Sequence, residues 1–128
     1  MDSSPKHPLV LVVEPSPTLR KIFKVTFDRA GGQTLIYHEP EQVLRVIRQN
    51  PFPRPDIAFI ELTTRKSHRL MRVLKSRREG NRLAIVAVSV RDSRLFRLRA
   101  RCAGAVAYLP KPFTTAQLIA CAMNHSQH

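Results

Sequence analysis

The sequence predicts an α/β domain in which one five-stranded parallel sheet is covered by helices on both faces. Five short apolar runs alternate with five segments of helical periodicity between residues 9 and 124. A run that is apolar at consecutive positions is typical of a strand buried on both faces, as in a parallel sheet. Strand–helix alternation with short connections builds such a sheet through right-handed crossovers. The 128 residues, 43% of them hydrophobic, suffice for one domain with a substantial core.

The first strand is predicted at 9–13, where the chain reads LVLVV. Ser16 followed by Pro17 is typical of an N-cap and a first helical residue. Gly31 and Gly32 end this first helix. Its inward positions are predicted at helical spacing as Leu19, Ile22, Phe23, Phe27 and Ala30.

The second and third strands are predicted at 34–37 and within 55–62. Between them a helix begins at Pro40, and residues 50–55, with three prolines, form a connection. The inward positions of this second helix are predicted to be Val43, Leu44 and Ile47.

The second half of the chain repeats the alternation. The fourth and fifth strands are predicted at 83–90 and 105–109. Thr114 and Gln117 have the spacing of a capping box that opens the last helix. The apolar stripes are predicted to be Leu70, Val73 and Leu74 on the third helix, Leu95, Leu98 and Cys102 on the fourth, and Leu118, Ile119 and Ala122 on the fifth.

The charge is strongly basic and unevenly distributed. The chain has 22 Lys and Arg against nine Asp and Glu, a formal net charge of +13. Thirteen basic and two acidic residues lie between Arg65 and Arg101, so this segment alone carries +11. Such a flank suits an anionic partner. The alternative is a solvated face that only aids solubility, and the sequence leaves both interpretations open.

In an open parallel sheet, the functional site lies at the carboxyl ends of the strands. The residues found there resemble those of response-regulator receiver domains. VVEPSP resembles the receiver segment in which the first strand runs into an acidic pair, and PDIAFIEL resembles the strand that ends in the phosphoaccepting aspartate. AGAVAYLPKPF resembles the ending that carries the switch tyrosine and the lysine before proline. The resemblance spans residues 9–124 and implies a flavodoxin-like fold with strand order 2-1-3-4-5.

The resemblance assigns a role to each strand-end residue. It places the phosphoacceptor on Glu61, the acidic pair on Glu14 and Pro15, and the switch aromatic on Tyr108. It places the phosphate contacts on Ser89 and Lys111. Pro15 offers no side-chain oxygen for Mg²⁺, which prefers hard oxygen ligands, and glutamate reaches about 1.5 Å further than aspartate. We therefore expect a degenerate pseudo-receiver that holds no metal or cofactor and has no enzymatic activity.

Two interpretations of Glu61 remain open. In the first, its carboxylate pairs with Lys111 and Ser89 and imitates a phosphoryl group. In the second, it is a strand-end residue that neutralises Lys111. Both predict a Glu61–Lys111 contact. The loop after Glu61, from Thr63 to His68, lacks the family's proline and glycine, and its Arg65 and Lys66 are expected to place positive charge where the metal would be.

A chain without catalysis at the strand ends is expected to act through its surface. The predicted partner surface consists of Arg91, Arg94, Arg97, Arg99 and Arg101 on the fourth helix. We expect an acidic protein partner, or a homodimer through the fourth helix, fifth strand and fifth helix, as the resemblance implies. A nucleic-acid-binding module is the second candidate, although aromatic residues for base stacking are few. The other rival is a conventional phosphoacceptor receiver with weak activity. In the leading hypothesis the chain acts in phosphorelay-type signal transduction as a phosphorylation-independent protein-interaction module.

The remaining expectations concern the ends and the environment of the domain. A flexible tail is expected at 1–8, the receiver-like domain at 9–124, and a second tail at 125–128. No apolar run approaches the roughly 20 residues that span a bilayer, so a cytoplasmic protein with no membrane association is expected. Cys102 and Cys121 have no metal-ligand spacing and are expected to be small, reduced core residues.

Overall fold

A computed structural model describes residues 7–49, 51–62, 64–77 and 82–125. The strands are β1 (Leu9–Val13), β2 (Gln33–Tyr37), β3 (Ile57–Glu61), β4 (Ala84–Ser89) and β5 (Ala105–Pro110). The helices are α1 (Pro17–Arg29), α2 (Pro40–Gln49), α3 (Arg65–Ser76), α4 (Arg94–Cys102) and α5 (Thr115–His125). All strand pairs are parallel, in the order β2-β1-β3-β4-β5. The predicted fold class and strand order are confirmed.

The sheet has one apolar layer on each face. Alternate residues of a strand point to opposite faces, so Leu11 and Val13 join one layer while Val10 and Val12 join the other. The first layer packs against α2, α3 and α4. The second packs against α1 and α5, where Phe23 of α1 contacts the ring of Phe59 at a centroid distance of 5.4 Å. All five residues of β3 and all six of β4 are buried, as expected for central strands.

The predicted helix termini are confirmed at three places. The Ser16 side chain accepts a hydrogen bond from the amide of Leu19, and Pro17 is the first helical residue. Gly31 adopts a φ of 85°, a conformation that glycine takes without steric cost. At α5, Thr114 and Gln117 exchange side chain–backbone bonds of 2.8 and 3.0 Å, the reciprocal pattern of a capping box.

The predicted inward stripe of α4 is wrong. Leu95 and Leu98 are 55% and 56% exposed, and Cys102 is also exposed rather than in the core. The helix instead buries Ala100 and half-buries Phe96. Ala100 and the C-cap Ala103 are the residues buried in the first layer, so the helix is rotated away from the orientation that its leucines would select.

Three other side chains also differ from the prediction. Ile119 of α5 is 36% exposed, while its neighbour Leu118 is fully buried as predicted. Ala30 is exposed because it is the C-cap of α1 rather than part of its inward stripe. Cys121 is reduced and packs against the second layer as predicted, but it is only half-buried, and burial raises the pKa of its thiol.

The predicted tails lie mostly outside the described residues, which exclude 1–6 and 126–128. Among the described helices, none has the length and apolar character needed to cross a membrane.

Candidate functional site

Four of the predicted site residues come together at the carboxyl edge of the sheet. Glu14 directly follows β1, Glu61 ends β3 and Ser89 ends β4. Lys111 directly follows β5, and its amide donates to the Ser89 carbonyl at 2.8 Å. The parallel register places these strand ends side by side, because Glu61 aligns with Val88 and Ser89 with Pro110.

The Lys111 ammonium lies between two buried carboxylates. Its Nζ is 2.9 and 3.0 Å from Oε1 and Oε2 of Glu14, and 3.0 Å from Oε2 of Glu61. The Glu14 and Glu61 side chains are only 1% and 6% exposed, and that of Lys111 is 13% exposed. We call these three residues the ion cluster. The predicted Glu61–Lys111 contact is confirmed.

The ion cluster has one more negative than positive charge when both carboxyl groups are ionised. Burial raises the pKa of Glu61, and the charge of Glu14 adds to the rise, while Lys111 lowers it. Oε1 of Glu61 is buried and has no hydrogen-bond partner among the described residues. The Glu61 carboxylate is therefore only partly compensated.

Ser89 does not take part in the ion cluster. Its side chain is buried, and its hydroxyl oxygen accepts a hydrogen bond from the amide of Arg91 at 3.1 Å. No hydrogen bond joins Ser89 to Glu61 in the described part of the chain. The serine instead shapes the turn that leaves β4.

The backbone after β1 is held by a residue that sequence reasoning missed. The Arg20 guanidinium donates to the carbonyl oxygens of Glu14 and Pro15, at 2.9 and 2.8 Å. The amide of Ser16 donates to Oε2 of Glu14 at 2.9 Å. Pro15 is exposed and brings only its carbonyl oxygen to this turn. The sequence signal for this role of Arg20 is weak: it lies one turn into α1, close to the turn that follows β1.

The segment after Glu61 differs from the expected loop. Thr63 is outside the described residues, but Thr64 is the N-cap of α3, so the chain is helical from Arg65 onward. Lys66 forms an ion pair with Glu41 of α2 at 2.7 Å, away from the ion cluster. Arg65 faces a groove between α3 and α4. Lys66 therefore does not supply the expected positive charge in place of a metal, whereas for Arg65 the expectation stays a prediction.

Tyr108 connects β5 to the β4–α4 turn. It is half-buried, and its hydroxyl donates to the Arg91 carbonyl. The Arg97 guanidinium lies 5.0 Å from the centre of its ring and also pairs with Asp92. Tyr108 is thus in contact with two of the five arginines predicted to form the partner surface.

The five arginines of the predicted surface are all exposed and divide between two grooves. Arg94, Arg97 and Arg101 line a groove between α4 and β5 with Tyr108. Arg91 and Arg99 line the groove between α3 and α4. Several exposed apolar side chains lie on α4, β5 and α5, namely Leu95, Leu98, Val106, Ile119 and Met123.

Potential metal ligands are few at this edge of the sheet. Within the ranges that the structure describes, no three His, Cys, Asp or Glu side chains group as a metal site would need. The ion cluster supplies two carboxylates, and both contact an ammonium.

Comparison with known proteins agrees with the fold. The family model described as "Response regulator receiver domain" matches residues 10–122. The transcriptional regulatory protein CpxR of Klebsiella pneumoniae is 27% identical over 111 residues, which are 87% of this chain and 46% of CpxR. The chain thus spans about half the length of the curated relatives it matches.

Two solved structures illustrate the structural likeness. The chemotaxis protein CheY4 of Vibrio cholerae has a TM-score of 0.82 and 16% identity, with 94% of this chain and 99% of that chain covered. The receiver domain of the sensor histidine kinase PA1611 of Pseudomonas aeruginosa has a TM-score of 0.76 and 19% identity, with 94% and 98% covered. The PA1611 receiver was crystallised with a magnesium ion coordinated in its active-site cleft.

Proposed function

The chain belongs to the response regulator receiver domain family of two-component signalling, and we propose that in this receiver a fixed ion cluster replaces phosphorylation. The observation that carries the proposal is the Lys111 ammonium, held within 3.0 Å of both the Glu14 and the Glu61 carboxylates. The domain then acts as a protein-interaction module whose surface does not depend on phosphoryl transfer.

The residues at the strand ends do not fit a divalent cation. Transfer of a phosphoryl group to a carboxylate needs a metal ion that neutralises the oxygens on both sides. The PA1611 receiver coordinates magnesium in its cleft. In this chain Pro15 lacks a side-chain oxygen, and the carbonyl oxygens of Glu14 and Pro15 already accept from Arg20. Mg²⁺ would have to displace Arg20 from these carbonyl oxygens and Lys111 from the two carboxylates, and still find near-octahedral oxygen ligands.

Glu61 is also poorly suited to accept a phosphoryl group. Its side chain is one methylene longer than the family's aspartate, and a displacement of about 1 Å can lower a rate on the order of a hundredfold. One of its oxygens is paired with Lys111, and the whole side chain is 6% exposed. Access of a phosphodonor to this carboxylate would require the ion cluster to open.

Between the two interpretations of Glu61, the contacts favour the neutralising role. A phosphoryl group offers three strong acceptor oxygens, whereas Glu61 contacts Lys111 through one oxygen and leaves the other without a partner. The pairing with Ser89 that the mimic interpretation requires is absent from the described contacts. Glu61 acts with Glu14 to neutralise a half-buried lysine.

The partner surface consists of α4 with its neighbours β5 and α5. Exposed apolar side chains such as Leu98 and Val106 lie beside the arginines of α4. Aromatic and arginine side chains are enriched at protein interfaces, and here Tyr108 lies beside the arginines of α4. We propose that an acidic protein covers this surface, since the +13 net charge favours association with a negative partner.

A homodimer through the same surface is the weaker form of this proposal. A two-fold interface brings the same patch of each copy together. The arginines of α4 would then face their own copies, and like charges brought together oppose association. Asp92 and its pair Arg97 are the one described ion pair beside α4, so the patch has little acidity to offset this repulsion.

Reversal of charge on α4 tests the protein-partner proposal. The chain is used as bait in its native cell extract, and a captured protein is then purified and titrated at about 0.15 M salt. We expect the double variant Arg94→Glu/Arg101→Glu to bind this protein at least tenfold more weakly, because two favourable charge contacts become repulsive. The control is Arg45→Glu/Arg48→Glu on α2, which changes the charge equally.

Three outcomes would contradict the proposal. The first is an equal loss of partner affinity in the α4 and α2 double variants, which would show that only the net charge of the chain matters. The second is retention on both DNA and RNA that collapses between low and moderate salt, with no protein captured, since nonspecific phosphate contacts are strongly salt-dependent. The third is a partner that binds only after the chain takes up phosphate.

A further inference from the structure

The groove between α3 and α4 shares only Leu98 with the lining of the groove between α4 and β5. Its volume is about 720 Å³, within the range of roughly 300–1,000 Å³ that small-molecule sites occupy. Four arginines line it, namely Arg65 and Arg72 of α3, Arg91 of the β4–α4 turn and Arg99 of α4. No carboxylate is among its lining residues.

These four arginines lack acidic partners among the described residues. The described ion pairs involve Lys24, Lys66, Arg97 and Lys111, and none of the four. Guanidinium groups placed around one groove without counter-charges repel one another, and a bound polyanion relieves that repulsion. Arginine also matches phosphate oxygens through two parallel hydrogen bonds.

The polar end of the groove is the start of α3. Thr64, its N-cap, lines the groove beside Arg65. The first turn of a helix carries partial positive charge and unpaired amides, which favour anions. His68 is half-buried in the same wall, and burial, together with the charges of Arg72 and Arg99, lowers the pKa of its imidazole. His68 can therefore contact a ligand as a neutral donor or acceptor near pH 7.

The wall formed by α4 is largely apolar. Phe96, Leu98 and Cys102 line it beside Arg99, and Leu62, which follows β3, adds to the apolar lining. The Arg91 guanidinium, a planar cation, lies over the Phe96 ring, 5.1 Å from its centroid. A planar aromatic ring can stack on such a guanidinium. A simple inorganic anion would leave this wall without contact.

We propose that the α3–α4 groove binds a nucleotide polyphosphate, with its phosphoryl groups among Arg65, Arg72 and Arg99 and its base against the Arg91–Phe96 wall. The combination of arginines and apolar side chains in one lining favours this chemical class over an acidic peptide, whose carboxylates would be spread along a chain. This inference does not depend on the proposed loss of phosphorylation or on the protein partner.

Calorimetric titration with ATP tests the proposal, at about 0.15 M salt and without divalent cations. We expect one ATP to bind per chain, inorganic tripolyphosphate to bind at least threefold more weakly, and adenosine to show no binding. We expect Arg72→Gln/Arg99→Gln to weaken ATP binding at least tenfold, because each substitution removes a guanidinium and its charge-assisted hydrogen bonds to the phosphoryl oxygens. The control Arg94→Gln/Arg101→Gln removes the same charge from the other side of α4 and should change affinity less than twofold.

Location is read separately by NMR. Addition of ATP should shift the imidazole resonances of His68 and leave the methyl resonance of Met123 on α5 unchanged. The proposal is overturned if ATP does not bind, if both double variants lose equally, or if a glutamate peptide of equal charge binds as tightly. It is also overturned if tripolyphosphate binds as tightly as ATP, since the apolar wall would then have no role. A failure of the protein-partner experiment leaves each of these outcomes measurable.

Discussion

At the scale of single residues, Lys111 determines the character of the strand-end site. A lysine that is 13% exposed is stable only with counter-charges, and here two carboxylates supply them. The second carboxylate is in excess, because Glu14 alone already contacts Nζ through both oxygens. Burial raises the pKa of Glu61, and the charge of Glu14 adds to the rise, because Lys111 compensates the two carboxylates only in part.

The Glu61 carboxyl should make stability fall as the pH rises. Its pKa is raised in the folded chain above the ordinary 4.5, so above pH 4.5 the folded state retains a proton that the unfolded state has lost. Linkage then lowers the free energy of unfolding until the folded carboxyl has also ionised. We expect Glu61→Gln to remove this decline, so that the variant gains on the wild type as the pH rises from 4.5. Urea unfolding across this interval measures the difference.

The matched control for this measurement is Glu41→Gln. Glu41 is an exposed carboxylate whose pKa is lowered by its hydrogen bond to Lys66. Its folded-state pKa lies below its unfolded one, so its contribution is present above pH 4.5 and is lost on acidification. The wild type should therefore gain on this variant as the pH rises toward 4.5, and the difference should stay constant above pH 4.5, where the Glu61 effect appears. A Glu61→Gln profile parallel to that of the wild type would contradict the account of the ion cluster.

At the scale of elements, α4 shows what the sequence could and could not predict. The strands and their order followed from runs such as LAIVAVSV and from the strand-end motifs, because burial on both faces leaves a clear pattern. The side of α4 that faces the sheet could not be predicted from the sequence. Leucines usually mark the inward stripe, but here small alanines pack on the sheet and the leucines lie outside. Only packing against β5 decides between the two orientations.

The strand-end site shows the same division. Glu14, Glu61 and Lys111 were predicted to be neighbours because parallel strands end at one edge. The role of Arg20 could not be predicted, since it depends on a side chain reaching back to two backbone carbonyls. The role of Ser89 could not be predicted either, because its hydroxyl accepts from the amide of Arg91 in the turn after β4 rather than contacting Glu61.

The orientation of α4 leads to a direct stability prediction. Leu95→Ser and Leu98→Ser should each change the free energy of unfolding by less than about 0.5 kcal/mol, as exposed substitutions usually do. Ala100→Leu should cost about 1–3 kcal/mol, because it adds volume at a position that is 1% exposed. Urea denaturation of the three variants gives the values. Losses of about 2–5 kcal/mol for the leucine variants, which are typical of buried leucines, would show that the helix faces the other way.

At the scale of the whole molecule, the domain combines a buried ion cluster with a strongly basic flank. The strand-end edge contains a buried cluster in which acids and a lysine compensate one another. The segment from Arg65 to Arg101 carries +11 and supplies arginines to both grooves beside α4. A net charge of this size attracts anionic partners over distances comparable to the Debye length, about 8 Å in physiological salt. The excess positive charge of the molecule is thus concentrated on α3, α4 and the turn that precedes α4.

The central claim is that this receiver does not take up phosphate. The most direct measurement is intact-mass spectrometry of the chain after incubation with acetyl phosphate and Mg²⁺. The double variant Pro15→Asp/Glu61→Asp is measured beside it, because it restores the acidic pair and the acceptor length. We predict no phosphorylated species for the wild type and a detectable one for the double variant. A phosphorylated wild-type chain, lost in Glu61→Gln, would contradict the account.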